Sequence, residues 1–134
     1  CSPTALAVEA INSTFFGNFA IEGYDPVAYF KENRAVKGNR EFEYNWMNAT
    51  WRFSSLENLT LFKENPHQYA PQYGGYCAYA VAQNDTASIQ PELFTIYNNK
   101  LYLNYNKKIN KAWRADKDRL IIQANRNWPH LINK

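Results

Sequence analysis

Glu41-Phe42-Glu43-Tyr44-Asn45-Trp46-Met47-Asn48-Ala49-Thr50-Trp51-Arg52-Phe53 decides the fold class. From Glu41 to Trp46 charged or polar residues alternate with aromatics, the period-two pattern of a half-buried strand. Met47-Asn48 supplies the turn, and Thr50 to Phe53 alternates again on the return. The stretch predicts an antiparallel hairpin with one aromatic face.

Ser54-Ser55-Leu56-Glu57 follows at once and has the spacing of a capping box, with Ser54 accepting from the backbone N–H three residues on and Glu57 reaching back. The helix it starts carries Leu56, Leu59 and Phe62 at helical spacing, and Asn65-Pro66 stops it. A second hairpin is expected from Phe94-Thr95-Ile96-Tyr97, the turn at Asn98-Asn99-Lys100, and Leu101-Tyr102-Leu103-Asn104-Tyr105. From Asn106 onward Ile109, Trp113, Leu120, Ala124 and Trp128 share one face of a long helix, with lysines and arginines opposite and Asn127-Trp128-Pro129 closing it. On the N-terminal side, Gly23 and Asp25-Pro26 are turn chemistry between a short strand at Ala20-Ile21 and a brief helix that turns Val27, Tyr29 and Phe30 inward. Ala35 to Gly38 predicts a short edge element. Residues 1–19 lack sustained periodicity and are expected to be a tether or a processed leader remnant, with at most a helical turn near Ala7 to Ile11.

The expected fold is therefore a single α+β domain over residues 20–134. One small antiparallel sheet is built from the two hairpins, and the capped helix, a short cysteine-bearing helix and the long C-terminal helix pack on it. The 134 residues are enough for a hydrophobic core without disulfide or metal staples. Ten Tyr, eight Phe and four Trp make that core aromatic.

The net charge of +3 is unevenly spread: residues 1–99 hold six Lys+Arg against ten Asp+Glu, and residues 100–134 hold nine against two. A solvated helix face accounts for the basic end better than a nucleic-acid site, because no basic run is interleaved with glycine or aromatics. No nucleic-acid partner is expected. No apolar run is long enough to cross a membrane. The chain begins at Cys1-Ser2-Pro3-Thr4-Ala5-Leu6-Ala7, without Met. A lipid-bearing Cys1 of a bacterial lipoprotein and an Ala5-Leu6-Ala7 cleavage site are two readings of that start, and both predict export to the periplasm or a membrane anchor. An arbitrary boundary is the third. Membrane contact is expected only through a lipid on Cys1.

Reactive side chains concentrate in Asn65-Pro66-His67-Gln68-Tyr69-Ala70-Pro71-Gln72-Tyr73-Gly74-Gly75-Tyr76-Cys77-Ala78-Tyr79-Ala80-Val81. Gly74-Gly75 permits close backbone approach and sets Cys77 in the first turn of a short helix from Tyr76 to Ala82, where outward N–H groups favour a thiolate. The alternative is a buried cysteine acting as a small hydrophobe. His67 is a candidate helper, as co-ligand for copper or zinc or as a base, against the plainer reading of a surface histidine. Tyr69, Tyr73 and Tyr76 are candidate walls of a ligand pocket. His130 has no assigned role, Asp25 is expected to form a turn, and Arg52 to show its charge at the strand edge. Paired catalytic carboxylates, G-x-S-x-G, H-E-x-x-H and phosphate-cradling loops are all missing, so binding is expected ahead of catalysis.

With these segments in place the chain resembles the YHS-domain proteins, in particular their small exported bacterial type. The resemblance is carried by Gly23-Tyr24-Asp25-Pro26-Val27-Ala28-Tyr29-Phe30, by Ala49 to Ser55 with Glu57-Asn58, and by Phe62 with Asn65-Pro66. Tyr69 with Pro71 to Ala78, Lys100 to Tyr105, Trp113 and Asn127-Trp128-Pro129 complete it. The tripeptide Tyr-His-Ser is itself missing, Trp51-Arg52-Phe53-Ser54 standing in its place, and one cysteine lies inside the domain, whereas structural zinc usually takes four ligands with paired cysteines. The resemblance implies a metal-binding module related to treble clefs. It also implies redox or nucleophilic chemistry at Cys77, because the exported branch includes selenoproteins. The leading expectation is an exported binding module for a transition metal or small ligand centred on Cys77, lipid-anchored on the first of the three readings of Cys1. A thiol-dependent redox protein is second, and a structural module meeting another envelope protein is third.

Overall fold

The computed structural model describes residues 8–133, so Cys1 and the predicted processing sites lie outside the described residues. The α+β class is as expected. Helix α1 spans Pro26–Glu32, strands β1 and β2 span Asn39–Trp46 and Ala49–Phe53, and helices α2 and α3 span Leu56–Glu64 and Pro66–Tyr69. After α4 (Ala78–Ala82) come β3 (Phe94–Tyr97), β4 (Lys100–Leu103), α5 (Lys107–Ala115) and α6 (Lys117–Ile132).

The first hairpin follows the alternation of its sequence. Phe42, Tyr44 and Trp46 are half-buried while Glu41, Glu43 and Asn45 are exposed, and on β2 Ala49, Trp51 and Phe53 are buried. Met47 and Asn48 both take positive φ (51° and 61°), the two-residue turn whose twist matches the flanking strands. Asn98 and Asn99 (51° and 62°) do the same for β3 and β4, so Lys100 belongs to the strand rather than to the turn. The two hairpins form two separate two-stranded antiparallel sheets instead of one. Helices fill the space between them, and a lone parallel bridge from Cys77 to Leu103 touches the second.

The buried carboxylate of Asp25 locks the first half of the chain. Its Oδ1 accepts from the backbone N–H of Val27 (2.8 Å) and Ala28 (3.2 Å), which caps α1. Its Oδ2 accepts from Ser54 N, Ser54 Oγ and Asn58 Nδ2, each at 2.8 Å. Asp25 is thus more than a turn former: it bolts α1 to the corner between β2 and α2. Because Ser54 serves Asp25, the cap of α2 falls one residue later than its sequence predicts, on Ser55, whose Oγ accepts from Asn58 N. Glu57 turns outward to Lys31 (2.8 Å). Leu56 is exposed, and α2 presents Asn58 and Phe62 to the core instead.

Phe62 lies at the centre of an aromatic cluster with Trp51, Phe53 and Trp46, at ring separations of 4.9, 5.2 and 5.5 Å. Arg52 is half-buried, with its guanidinium 4.0 Å above the Phe19 ring and its Nε bonded to Glu43. A stacked, paired arginine replaces the free edge charge expected of it. The C-terminal helix breaks in two at Asp116, and Pro129 sits inside α6 rather than ending it. Trp113, Leu120, Ala124 and Leu131 form the inward face, and the flanking Lys107, Lys108, Lys111, Arg114 and Arg119 are exposed.

Residues 8–12 pack on the body rather than standing off as a tether, and the exposed loop that follows is tied back to β2. Ile11 is buried, Asn12 N donates to Gly74 O (2.8 Å), Val8 N donates to Leu131 O (3.1 Å), and Ala20 N bonds Thr50 O. The expected strand at Ala20-Ile21 is reduced to isolated bridges followed by a turn over Ile21–Gly23.

Replacing Asp25 by Ala leaves its buried donors without an acceptor, at an expected cost on the order of 3 kcal/mol. Asp25→Asn, which keeps one oxygen and turns a donor towards donors, loses about 2 kcal/mol, both read as lower urea midpoints with unchanged slope. Burial raises the phenols of Tyr29 and Tyr73 above their ordinary value. In the unfolded chain both ionise near 10.0 while the folded protein keeps them neutral, so stability is fully present below that pH and falls as pH rises through it. Urea midpoints measured on either side of that pH check the slope, and Tyr29→Phe together with Tyr73→Phe flattens it.

Candidate aromatic cleft

The segment rich in reactive residues folds as three short pieces. Pro66 opens α3, a cramped turn covers Gln72–Gly75, and Cys77 caps α4. Tyr73, Gly74 and Gly75 all have positive φ (58°, 63° and 85°). The left-handed backbone at Tyr73 costs a non-glycine residue about 1 kcal/mol or more. It is held by the burial of the Tyr73 ring against Tyr102 and Trp128 and by a 2.9 Å bond from its hydroxyl to Asn125 Oδ1. At Gly74 a Cβ would lie 1.9 Å from the carbonyl oxygen of Ala10, so only glycine lets residues 10–12 cross the turn.

Cys77 stands one residue before α4, not within its first turn, and that helix has five residues, too short for the N-terminal field expected to act on the thiol. Its side chain is 1 % exposed, in the core with Leu101, Leu103 and Ile89. The polar contact of its sulfur is Asn104 Nδ2, a donor, at 3.7 Å, and Asn104 Oδ1 in turn accepts from Asn110 Nδ2 at 2.9 Å. Among the described residues neither an imidazole nor a carboxylate bonds that sulfur to complete a metal ligand set, and no three of His, Cys, Asp and Glu come together as one.

His67 is exposed on α3, its ring edge-on to Trp46 at 5.1 Å. It does not join Cys77; it borders a cleft of about 400 Å³ that the sulfur does not reach. Trp46 and Met47 at the tip of the first hairpin form one wall, Tyr73 in its strained turn another, and Asn125 and Trp128 on α6 the third. Of the three tyrosines expected in a pocket, Tyr73 lines this cleft. Tyr69 packs edge-on against Phe30 (5.6 Å), and Tyr76 packs against Trp128 (5.8 Å) without lining the cleft.

Trp46, Trp128 and Asn125 were not singled out from sequence as site residues. Trp46 and Trp128 carry aromatic signals that fit core faces equally well, and Asn125 carries none. Among the described residues no Asp, Glu, Lys or Arg borders the cleft. Its polar side chains include the His67 imidazole, the Gln72 amide, Tyr73 and the Asn125 amide, whose oxygen accepts from the Tyr73 hydroxyl and whose nitrogen is a donor. Such a site holds a flat, uncharged molecule by stacking and orients it with one or two hydrogen bonds.

The burial of Cys77 sets its reactivity. A disulfide reagent labels it in the native protein roughly two orders of magnitude more slowly than in denaturant, because the sulfur is reached only through local opening. Compared with the known protein families, with curated proteins and with solved structures, the chain matches none.

Proposed function

We propose that the protein is a small-ligand binding module that takes a neutral, flat, largely apolar molecule in the cleft between Trp46, Tyr73 and Trp128. The observation that carries the reading is a cavity of about 400 Å³ with aromatic walls and, among the described residues, no charged side chain on its border. That size falls within the usual range for small-molecule sites. The strained turn at Tyr73 adds support, because backbone strain tends to persist where a side chain must be held in one orientation. The reading keeps the binding-module sense of the YHS resemblance and moves its centre from Cys77 to the cleft.

The metal form of that resemblance has a single imidazole, His67, to offer at the cleft. The redox form relies on the buried sulfur of Cys77. Both are therefore weaker readings than the aromatic site.

A neutral probe such as N-phenyl-1-naphthylamine tests the proposal. Ordinary efficiencies of about 0.3–0.5 kcal/mol per non-hydrogen atom put its affinity in the micromolar range. Binding is expected to saturate at one site and to quench tryptophan emission. Trp128→Ala and His67→Ala each weaken it by about ten-fold, a loss of about 1.4 kcal/mol, while Cys77→Ser leaves it unchanged. His67 is exposed, so its replacement does not threaten the fold. Absence of saturable binding, or equal binding by both cleft variants, overturns the reading.

A further inference from the structure

Residues 13–20 form a narrow loop closed by an antiparallel bridge between Ser13 and Ala20, and at its tip Phe15 and Phe16 are 93 % and 83 % exposed. Single exposed apolar residues are ordinary, but two adjacent phenylalanines stacked edge to face in water ask for a partner. The loop that carries them is built, not slack. Thr14 Oγ1 donates to Phe16 O (2.6 Å) and accepts from Phe19 N (3.0 Å), while Thr14 N donates to Phe19 O (3.0 Å). Ser13 Oγ donates to Asn18 Oδ1. Asn18 Nδ2 donates to Asn48 O (2.6 Å), and Asn18 O accepts from Thr50 N (2.9 Å). The loop is thereby pinned to the turn of the first hairpin, where Met47 is 45 % exposed.

Two features select the partner. The first is charge: no charged residue occurs from Ala10 to Ile21 or from Tyr44 to Trp51, so both tied tips carry only apolar side chains and neutral polar ones. Protein partners are usually met by a rim of polar and charged groups, whereas a charge on an inserting tip would oppose entry into lipid. The second is backbone chemistry. Lipid penalises unpaired N–H and C=O groups, and at the base of this loop the Thr14 and Phe19 N–H groups and the Phe16, Asn18 and Phe19 carbonyls are paired within the protein, which leaves the short stretch Phe15 to Gly17 to meet the headgroups.

The geometry points to a lipid bilayer as the partner of this tip, with Phe15 and Phe16 entering the acyl boundary and Ser13, Thr14, Asn18 and Asn48 at headgroup depth. The contact is a reversible interfacial wedge, made by side chains of the folded domain and needing no lipid modification. It stands apart from the proposed role of the cleft, and either can fail without the other.

Sedimentation of the protein with vesicles of phosphatidylcholine alone, and of phosphatidylcholine mixed with phosphatidylglycerol, tests it. Binding to both kinds of vesicle, little changed by salt, is expected because the tip carries no charge. The Phe15→Ser/Phe16→Ser double variant lowers the partition coefficient at least about ten-fold and leaves the urea midpoint unchanged, since both rings are exposed. Phe16→Trp gives an emission that shifts to the blue on vesicles and is quenched by brominated acyl chains. Failure to bind vesicles, binding that needs the anionic lipid and vanishes in high salt, or equal binding by the double variant overturns the inference. A dimer of the free protein that the double variant dissociates also overturns it, by assigning the tip to a second copy of the chain.

Discussion

The carboxylate of Asp25 is the constraint on which the first half of the molecule depends. Taking a carboxylate out of water costs several kcal/mol unless its lone pairs are filled, and here donors from two separate parts of the chain fill them. That requirement fixes the start of α1 against the β2–α2 corner. Once α1 is set, Val27 and Tyr29 face the core and the Tyr29 hydroxyl reaches Pro91 O at 2.8 Å, which fastens the long loop before the second hairpin. Asn58, held by Asp25 through its nitrogen, presents its oxygen to Lys31 at 3.1 Å and carries the network to the surface. The arrangement specifies one geometry more than it adds net stability, because a partly filled version would be worse than none.

The second half of the chain is organised by shape rather than by charge. Tyr73 and Gly74 give the chain its cramped turn, residues 10–12 cross it, and Asn127 secures the end of α4 by donating to Val81 O and Ala82 O (2.9 and 3.2 Å). Cys77 fills space at the centre, where Asn104 links it to Asn110. The chemistry left at the surface is aromatic and neutral: a cleft walled by tryptophan and tyrosine, and on the other side of Met47 a phenylalanine tip. Met47 touches the one and adjoins the other, so the turn of the first hairpin lies between the two surfaces that we single out.

Much of the fold was legible because it is written in short-range patterns. The alternation from Glu41 to Phe53, the two-residue turns and the apolar stripe of the C-terminal helices each need only neighbours in sequence to be read. What escaped depends on residues far apart. Ser54 looks like a helix cap until Asp25, 29 positions earlier, claims it, and the cap moves to Ser55. The docking of residues 8–12 is invisible locally, since its partners are Gly74 and Leu131. Of the three tyrosines expected to wall a pocket, Tyr73 lines the cleft, while His67, expected beside Cys77 as co-ligand or base, borders the cleft instead. Trp46, Trp128 and Asn125 were not foreseen there, because a wall assembled from a hairpin tip and a distant helix has no sequence signature. Cys77 was overweighted for a related reason: a cysteine after Gly-Gly has the same local sequence whether its sulfur faces water or leucine.

The bond from Val8 N to Leu131 O brings the two ends of the described chain into contact. A domain whose ends meet in this way can be opened elsewhere and rejoined there, or spliced into a surface loop of a host protein, with little demand on the linker. The exposed polar residues 83–85 after α4 offer a place for the new opening, away from the Asp25 network and from the cleft. In this molecule the order of elements along the chain is thus less binding than their closure in space.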